Sequence, residues 1–147
     1  MNANQFDPVR YKATTRDQWE AAAEAWDRWT PVLQRWLGPG TEQMLDLAGV
    51  GPGARILDVA AGAGEPALTA ARRVGPGGSV LATDISPTIL TYAAQAARVK
   101  GVTNLETRAM DGEKLDLPDA SFDVVLSRVG LIYFPDQQRA LAEIQRV

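Results

Sequence analysis

The chain has 147 residues, of which 46% are hydrophobic and 22% charged, a composition typical of one globular domain and too short for two. It has no cysteine and no histidine, which excludes disulfide bonds, thiolate metal sites and a histidine base, and we expect no metal. The net charge is −3, and no run of about 18 apolar residues or signal-peptide core is present, so we expect a cytoplasmic protein without a membrane span or nucleic-acid partner.

The first 40 residues form a helical segment that contains all four tryptophans of the chain. Thr15 followed by Gln18 is typical of a capping box at a helix start. Pro31 predicts the start of a second helical segment, which the sequence 38–40 (Gly-Pro-Gly) then ends. The tryptophans recur with helical spacing and make one apolar stripe. This stripe either packs on the rest of the chain or forms a lid over a substrate pocket, and both can hold.

From residue 41 onward the pattern alternates between helix and strand. Continuous apolar strands separated by helices predict β-α-β units, right-handed crossovers and a parallel sheet. The predicted helices cover residues 41–50 (with Thr41 as N-cap), 64–74, 87–100 (with Ser86 as N-cap) and 135–147 (begun near Asp136), and the predicted strands cover 54–60, 79–83, 102–110 and 122–129.

A ligand in such a sheet lies beyond the carboxyl ends of the strands. There the turn after the first strand contains Gly62-x-Gly64-x-x-Ala67, which satisfies the dinucleotide-binding fingerprint. The glycines allow close approach or positive φ, and the following helix N-terminus favours an anionic group. The alternative is a tight turn that needs glycine for its backbone alone.

Three carboxylates at neighbouring strand ends narrow the choice of ligand. Asp84, which is 22 residues beyond Gly62, suits two ribose hydroxyls, although it could instead cap the next helix. Asp58 would repel a pyrophosphate and attract an ammonium group. Asp111 could accept a hydrogen bond from the exocyclic amine of adenine, or could simply form a turn.

Three motifs, ILDVAAGAGEPAL, LATDISPTIL and RAMDGEKLDLPDASFDVVLSRVGLIYFPD, resemble those of class I S-adenosylmethionine-dependent methyltransferases, including the quinone-biosynthesis C-methyltransferases. The resemblance covers about residues 40–147. It implies an α/β fold with a Rossmann-like doubly wound parallel sheet of order 3-2-1-4. It also implies S-adenosylmethionine as cofactor and S-adenosylhomocysteine as product. The chain then divides into a tryptophan-rich helical segment, 1–40, acting as a lid or cap, and a cofactor-binding domain, 41–147.

The resemblance also implies a role for each candidate site residue. The family often has glycine where this chain has Ala60. No catalytic residue follows from the resemblance. The implied cofactor contacts are Asp58, Ala60, Gly62 and Gly64 around the methionine part and sulfonium, Asp84 on the ribose, Ile85 against the adenine face, Met110 and Asp111 at the adenine edge, and Ser127 and Arg128 near the methionine end.

The chain departs from the family after its fourth strand. The resemblance implies a sheet of seven strands, and the sequence here predicts only four, so we expect an incomplete sheet and an acceptor site that lacks a part. We expect either a fragment of a longer chain or self-association through the edge of the fourth strand. The leading hypothesis is methyl transfer to a small-molecule acceptor. A non-catalytic binding or assembly module is the alternative, and an NAD-dependent oxidoreductase is a more distant one.

Overall fold

Helices and parallel strands alternate in the structure, a computed structural model that describes residues 6–147. A 3₁₀ helix, Gly130–Tyr133, precedes the last α-helix and was not predicted. The other elements are α1 (Pro8–Leu47), β1 (Arg55–Val59), α2 (Glu65–Val74), β2 (Ser79–Asp84), α3 (Pro87–Val99), β3 (Leu105–Ala109), β4 (Val124–Leu126) and α4 (Gln137–Arg146).

The four strands form one parallel sheet of order β3-β2-β1-β4, which confirms the expected fold class and strand order. Strand β1 is buried on both faces, as its continuous apolar sequence predicts. Its side chains alternate between two cores: Ile56 packs in the cluster that contains α2 residues, and Leu57 packs in the cluster that contains Leu115 and Val147. Among the described residues, β4 pairs only with β1 and lies at the sheet edge.

Local capping signals predict the starts of the later helices correctly. The Ser86 hydroxyl accepts a hydrogen bond from the Ile89 amide at 3.1 Å, with Pro87 in the first turn of α3. The Asp136 carboxylate accepts from the Arg139 amide at 2.9 Å and begins α4. Strands β3 and β4 are shorter than predicted, since 102–110 becomes 105–109 and 122–129 becomes 124–126.

Helix α1 overturns the predicted N-terminal boundaries. It is one helix of 40 residues that passes through Pro31 and Pro39. The predicted helix start at Pro31, the end at 38–40 and the cap at Thr41 are therefore wrong. The predicted capping box at Thr15 is also wrong, because Asp7 caps α1 by accepting from the amides of residues 9 and 10.

Tertiary packing explains why the prolines do not end the helix. Each internal proline removes a helical hydrogen bond, at a cost of about 3 kcal/mol. Buried residues on both sides of the prolines, from Thr15 and Ala23 to Thr41 and Leu45, hold α1 on the sheet domain. Because α1 crosses residue 40, the predicted segment and domain share a helix, and the role of the segment as a lid stays a prediction.

No helix in residues 6–147 combines the length and the hydropathy that crossing a membrane requires.

Candidate functional site

The turn after β1 has a backbone conformation that is strained for residues with a side chain. Gly62 and Gly64 have φ angles of 57° and 86°, the positive values that the glycines of this turn were expected to allow. A Cβ on Gly64 would lie 2.7 Å from the Cβ of Ala93, because α3 crosses directly beside the turn. Ala60 also has a positive φ, 60°, where alanine costs about 1–2 kcal/mol.

A hydrogen bond of Asp84 connects the end of β2 to this turn. Its carboxylate is 8% exposed, and it accepts hydrogen bonds from the amides of Gly62 and Ser86, both at 3.0 Å. Burial raises the pKa of Asp84, and these backbone amides act against that rise. Each carboxylate oxygen keeps a further lone pair for a ligand hydroxyl. Asp84 is not the N-cap of α3, since Ser86 is.

Asp58 is a buried carboxylate with little hydrogen bonding from the described residues. It is 0% exposed, and within residues 6–147 neither of its oxygens receives a hydrogen bond of ordinary length, although the Ala67 amide interacts with it and lowers its pKa. Burial raises its pKa to about 7, the Arg128 guanidinium lowers it, and the carboxylates of Asp84 and Glu65 raise it further. An unpaired buried acid is costly, so this position calls for a donor that the described part of the chain does not supply. The hydroxyl of Ser127 is likewise buried without a partner there.

Arg128 joins three elements beside Asp58. Its Nη1 donates to the Thr41 hydroxyl at 2.6 Å and to the Glu65 carboxylate, and the Thr41 hydroxyl contacts the same carboxylate at 3.2 Å. Glu65 and Thr41 were missed by the sequence analysis. An acid in the first turn of a helix was a signal for Glu65, but nothing local pointed to Thr41, which lies 87 residues from Arg128.

At the other end of the site, helix α1 supplies a cation to Asp111. The Lys12 ammonium donates to Asp111 at 2.8 Å and to Glu113 at 2.6 Å. Asp111 also accepts from the Glu113 amide at 2.9 Å, so it does form a turn. Ile85 and Met110 lie beside it, lining a cavity of about 50 Å³ that Trp19 also borders.

A larger cavity, of about 310 Å³, adjoins the first along α1. Residues Trp19, Ala60, Asp84, Gly130 and Tyr133 line both cavities. The structure thus brings seven of the ten predicted residues to two neighbouring cavities: Ala60, Gly62, Asp84, Ile85, Met110, Asp111 and Arg128. The other three, Asp58, Gly64 and Ser127, line neither.

The sequence and fold match known methyltransferases. Residues 56–147 match the model of the methyltransferase domain family. The nocamycin O-methyltransferase of Saccharothrix syringae is 36% identical over 109 residues, 74% of this chain and 39% of that protein. The ubiquinone/menaquinone biosynthesis C-methyltransferase of Cupriavidus taiwanensis is 38% identical over 100 residues, 68% of this chain and 41% of that protein.

A solved structure extends the similarity to almost the whole chain. A SAM-dependent methyltransferase from Aquifex aeolicus is 25% identical with a TM-score of 0.72, covering 97% of this chain and 68% of that one. The chain spans 39% and 41% of the lengths of the two curated relatives above. The family match, the identities and the parallel sheet agree, and the chain belongs to the S-adenosylmethionine-dependent methyltransferase family.

Proposed function

We propose that this chain is the S-adenosylmethionine-binding part of an enzyme that methylates a small-molecule acceptor, with S-adenosylhomocysteine as product. The observation that carries the proposal is Asp58, a fully buried carboxylate that receives no hydrogen bond of ordinary length from residues 6–147, behind a glycine turn at the carboxyl end of β1. Asp58 lines neither cavity, so a ligand ammonium group at the glycine turn would be attracted mainly by its charge. Nocamycin and the quinones named for the two relatives are small organic molecules, which supports an acceptor of that kind.

The other predicted residues fit the same cofactor. Asp84 has free lone pairs for ribose hydroxyls, and its amide bonds already hold it in place. Ile85 and Met110 offer apolar contact to a flat base at the smaller cavity, and Asp111 can accept from an exocyclic amine. The Asp111 oxygens already accept from Lys12 and from the Glu113 amide, so an exocyclic amine would use a further lone pair and compete with the Lys12 ammonium for it.

The residues at the methionine end have supporting roles. Gly62 and Gly64 keep side chains out of the turn, and the Ser127 hydroxyl has no partner within the described residues. The cofactor supplies an activated methyl group on its sulfonium. The protein then has to align the acceptor with that group and exclude water, work that needs no histidine base.

The same geometry disfavours a nicotinamide dinucleotide. Its pyrophosphate would lie at the turn beside the buried carboxyl groups of Asp58 and Asp84, which repel it wherever they are ionised. A methionine ammonium gains from that charge instead. If the protein binds S-adenosylhomocysteine and does not bind NAD, the methyltransferase proposal is supported over the oxidoreductase. An assay of methyl transfer then distinguishes an enzyme from a non-catalytic binding module.

Isothermal titration calorimetry tests the cofactor site. We expect S-adenosylhomocysteine to bind and NAD not to bind. The variant Asp84→Asn should weaken S-adenosylhomocysteine binding by about 1–3 kcal/mol, the cost of unpaired polar groups. Asp123→Asn is the control, because Asp123 pairs with the exposed Arg55 away from the site. No binding at millimolar concentration, or equal affinities for both variants, would contradict the proposal.

A further inference from the structure

The larger cavity has an aromatic wall on α1. Trp19, Trp26 and Trp36 line it. Trp19 and Trp26 also pack on the core cluster that contains Ala23 and Ile89, so the packing of α1 fixes these two side chains. Trp36 is 75% exposed and leaves most of its ring surface for a ligand.

The rings of this wall support one another. Trp19 packs edge-to-face on Trp26, with centroids 5.1 Å apart, and on Tyr133, with centroids 5.3 Å apart. Such pairs are favourable beyond the area they bury, so they keep the rings in fixed orientations. A flat apolar ring system is the ligand shape that gains most from this wall.

The cavity extends along α1 away from the adenine end. Lys12 meets Asp111 at one end of the helix, and Trp26 lies over Gly62, 3.2 Å from where a Cβ would be. Trp36 is ten residues further, about 15 Å along the helix axis. The cavity thus continues past the glycine turn. The cofactor would occupy its part at Gly62 and Asp84, and the space for a second molecule is the part towards Trp36.

Arg128 provides the polar group at that far end. Its hydrogen bonds within residues 6–147 run from Nη1, to Thr41 and Glu65. These bonds anchor the guanidinium, and its Nε and Nη2 donors remain for a ligand oxygen. Arg128 lines the same cavity as the tryptophans.

The charges nearby favour a neutral oxygen over a carboxylate or phosphate. Asp58 lies within the electrostatic reach of Arg128, Asp84 and Glu65, and Glu65 already pairs with Arg128. A fully charged anion would therefore enter a region with excess negative charge.

We propose that this cavity is the acceptor site and takes a flat, uncharged aromatic compound, with its rings against Trp26 and Trp36 and its hydroxyl oxygen on Arg128. The proposal rests on the proposed function, whose cofactor would occupy the adjoining turn. The cavity volume of about 310 Å³ lies at the lower end of the range for small-molecule sites.

Calorimetry with 2-naphthol as probe tests the site in protein already saturated with S-adenosylhomocysteine. We expect one molecule of 2-naphthol to bind, about 5-fold more tightly than its saturated analogue decahydro-2-naphthol, because only the aromatic probe can stack. We expect 2-naphthoate to bind more weakly than 2-naphthol. Equal or tighter binding of either comparison compound would overturn the proposal.

Two tryptophan variants locate the binding. Trp36→Ala should weaken 2-naphthol binding about 5-fold. Trp29→Ala is the matched control and should leave it unchanged, because Trp29 is on the same helix, is 56% exposed and does not line this cavity. Equal losses in both variants would overturn the assignment, and urea denaturation confirms that each variant is folded.

The same titrations separate this proposal from the one on which it rests. Failure of S-adenosylhomocysteine to bind overturns the proposed function and the acceptor site with it. Binding of S-adenosylhomocysteine without 2-naphthol overturns the acceptor site alone. Binding of 2-naphthol only in the absence of S-adenosylhomocysteine shows that the cavity belongs to the cofactor, and this too overturns the acceptor site.

Discussion

Replacing Asp58 by asparagine should make the stability of the ligand-free protein less sensitive to rising pH and should weaken cofactor binding. The carboxyl group is fully buried, and burial raises its pKa from 3.8 to about 7. Below pH 3.8, the pKa of the group in the unfolded chain, the carboxyl group is neutral in the folded and the unfolded state and has no effect on the pH dependence of stability. Between pH 3.8 and 7 the unfolded chain loses the proton first, so the free energy of unfolding of the wild type falls as pH rises.

The size of the effect follows from this pKa difference. One pKa unit corresponds to about 1.4 kcal/mol, so ionising Asp58 costs about 4 kcal/mol once pH is well above 7. About 3 kcal/mol of this cost develops between pH 5 and pH 8. The asparagine amide adds a burial cost of its own, but that cost does not change with pH. The stability difference between Asp58→Asn and wild type should therefore shift by about 3 kcal/mol in favour of the variant over this interval.

Urea denaturation of both proteins at pH 5 and pH 8 measures this shift directly. A stability difference that stays constant with pH would refute the reasoning, because it would mean that Asp58 is stabilised as an anion in the ligand-free protein. Calorimetry in buffers with different ionisation enthalpies gives the second readout. Below pH 7, S-adenosylhomocysteine should bind wild type with proton release, since its ammonium group favours ionised Asp58, and Asp58→Asn should release no proton.

Three further predictions concern the turn, the adenine end and the sheet edge. Gly64→Ala should destabilise the protein by about 2–5 kcal/mol in urea, the sum of a left-handed alanine and a collision with Ala93. The control Gly101→Ala, at φ 65° with open space around it, should cost only about 1–2 kcal/mol; equal costs would contradict the collision. Lys12→Met should raise the affinity for S-adenosylhomocysteine about 2- to 5-fold by freeing Asp111, and an unchanged or lower affinity would argue against competition there. Light scattering should show self-association through β4, and a stable monomer at high concentration would rule it out.

Local sequence was enough to predict where α3 and α4 begin and where the turn after β1 lies. The starts of α3 and α4 depend on one capping side chain and its neighbouring amides, so Ser86 and Asp136 could be identified directly. The turn after β1 depends on residues that tolerate positive φ, so Gly62 and Gly64 could be identified as well. These signals act over three or four residues, a distance at which backbone preference dominates.

Tertiary structure alone decided how α1 lies on the domain. Local rules break this helix at Pro31, but contacts with the rest of the chain offset the lost hydrogen bonds. The same packing brings Lys12 to Asp111, 99 residues away, and Trp26 onto the glycine turn. Residue types and strand ends thus determined which side chains could bind a cofactor. Long-range packing, which no local pattern encodes, decided which groups from α1 meet them.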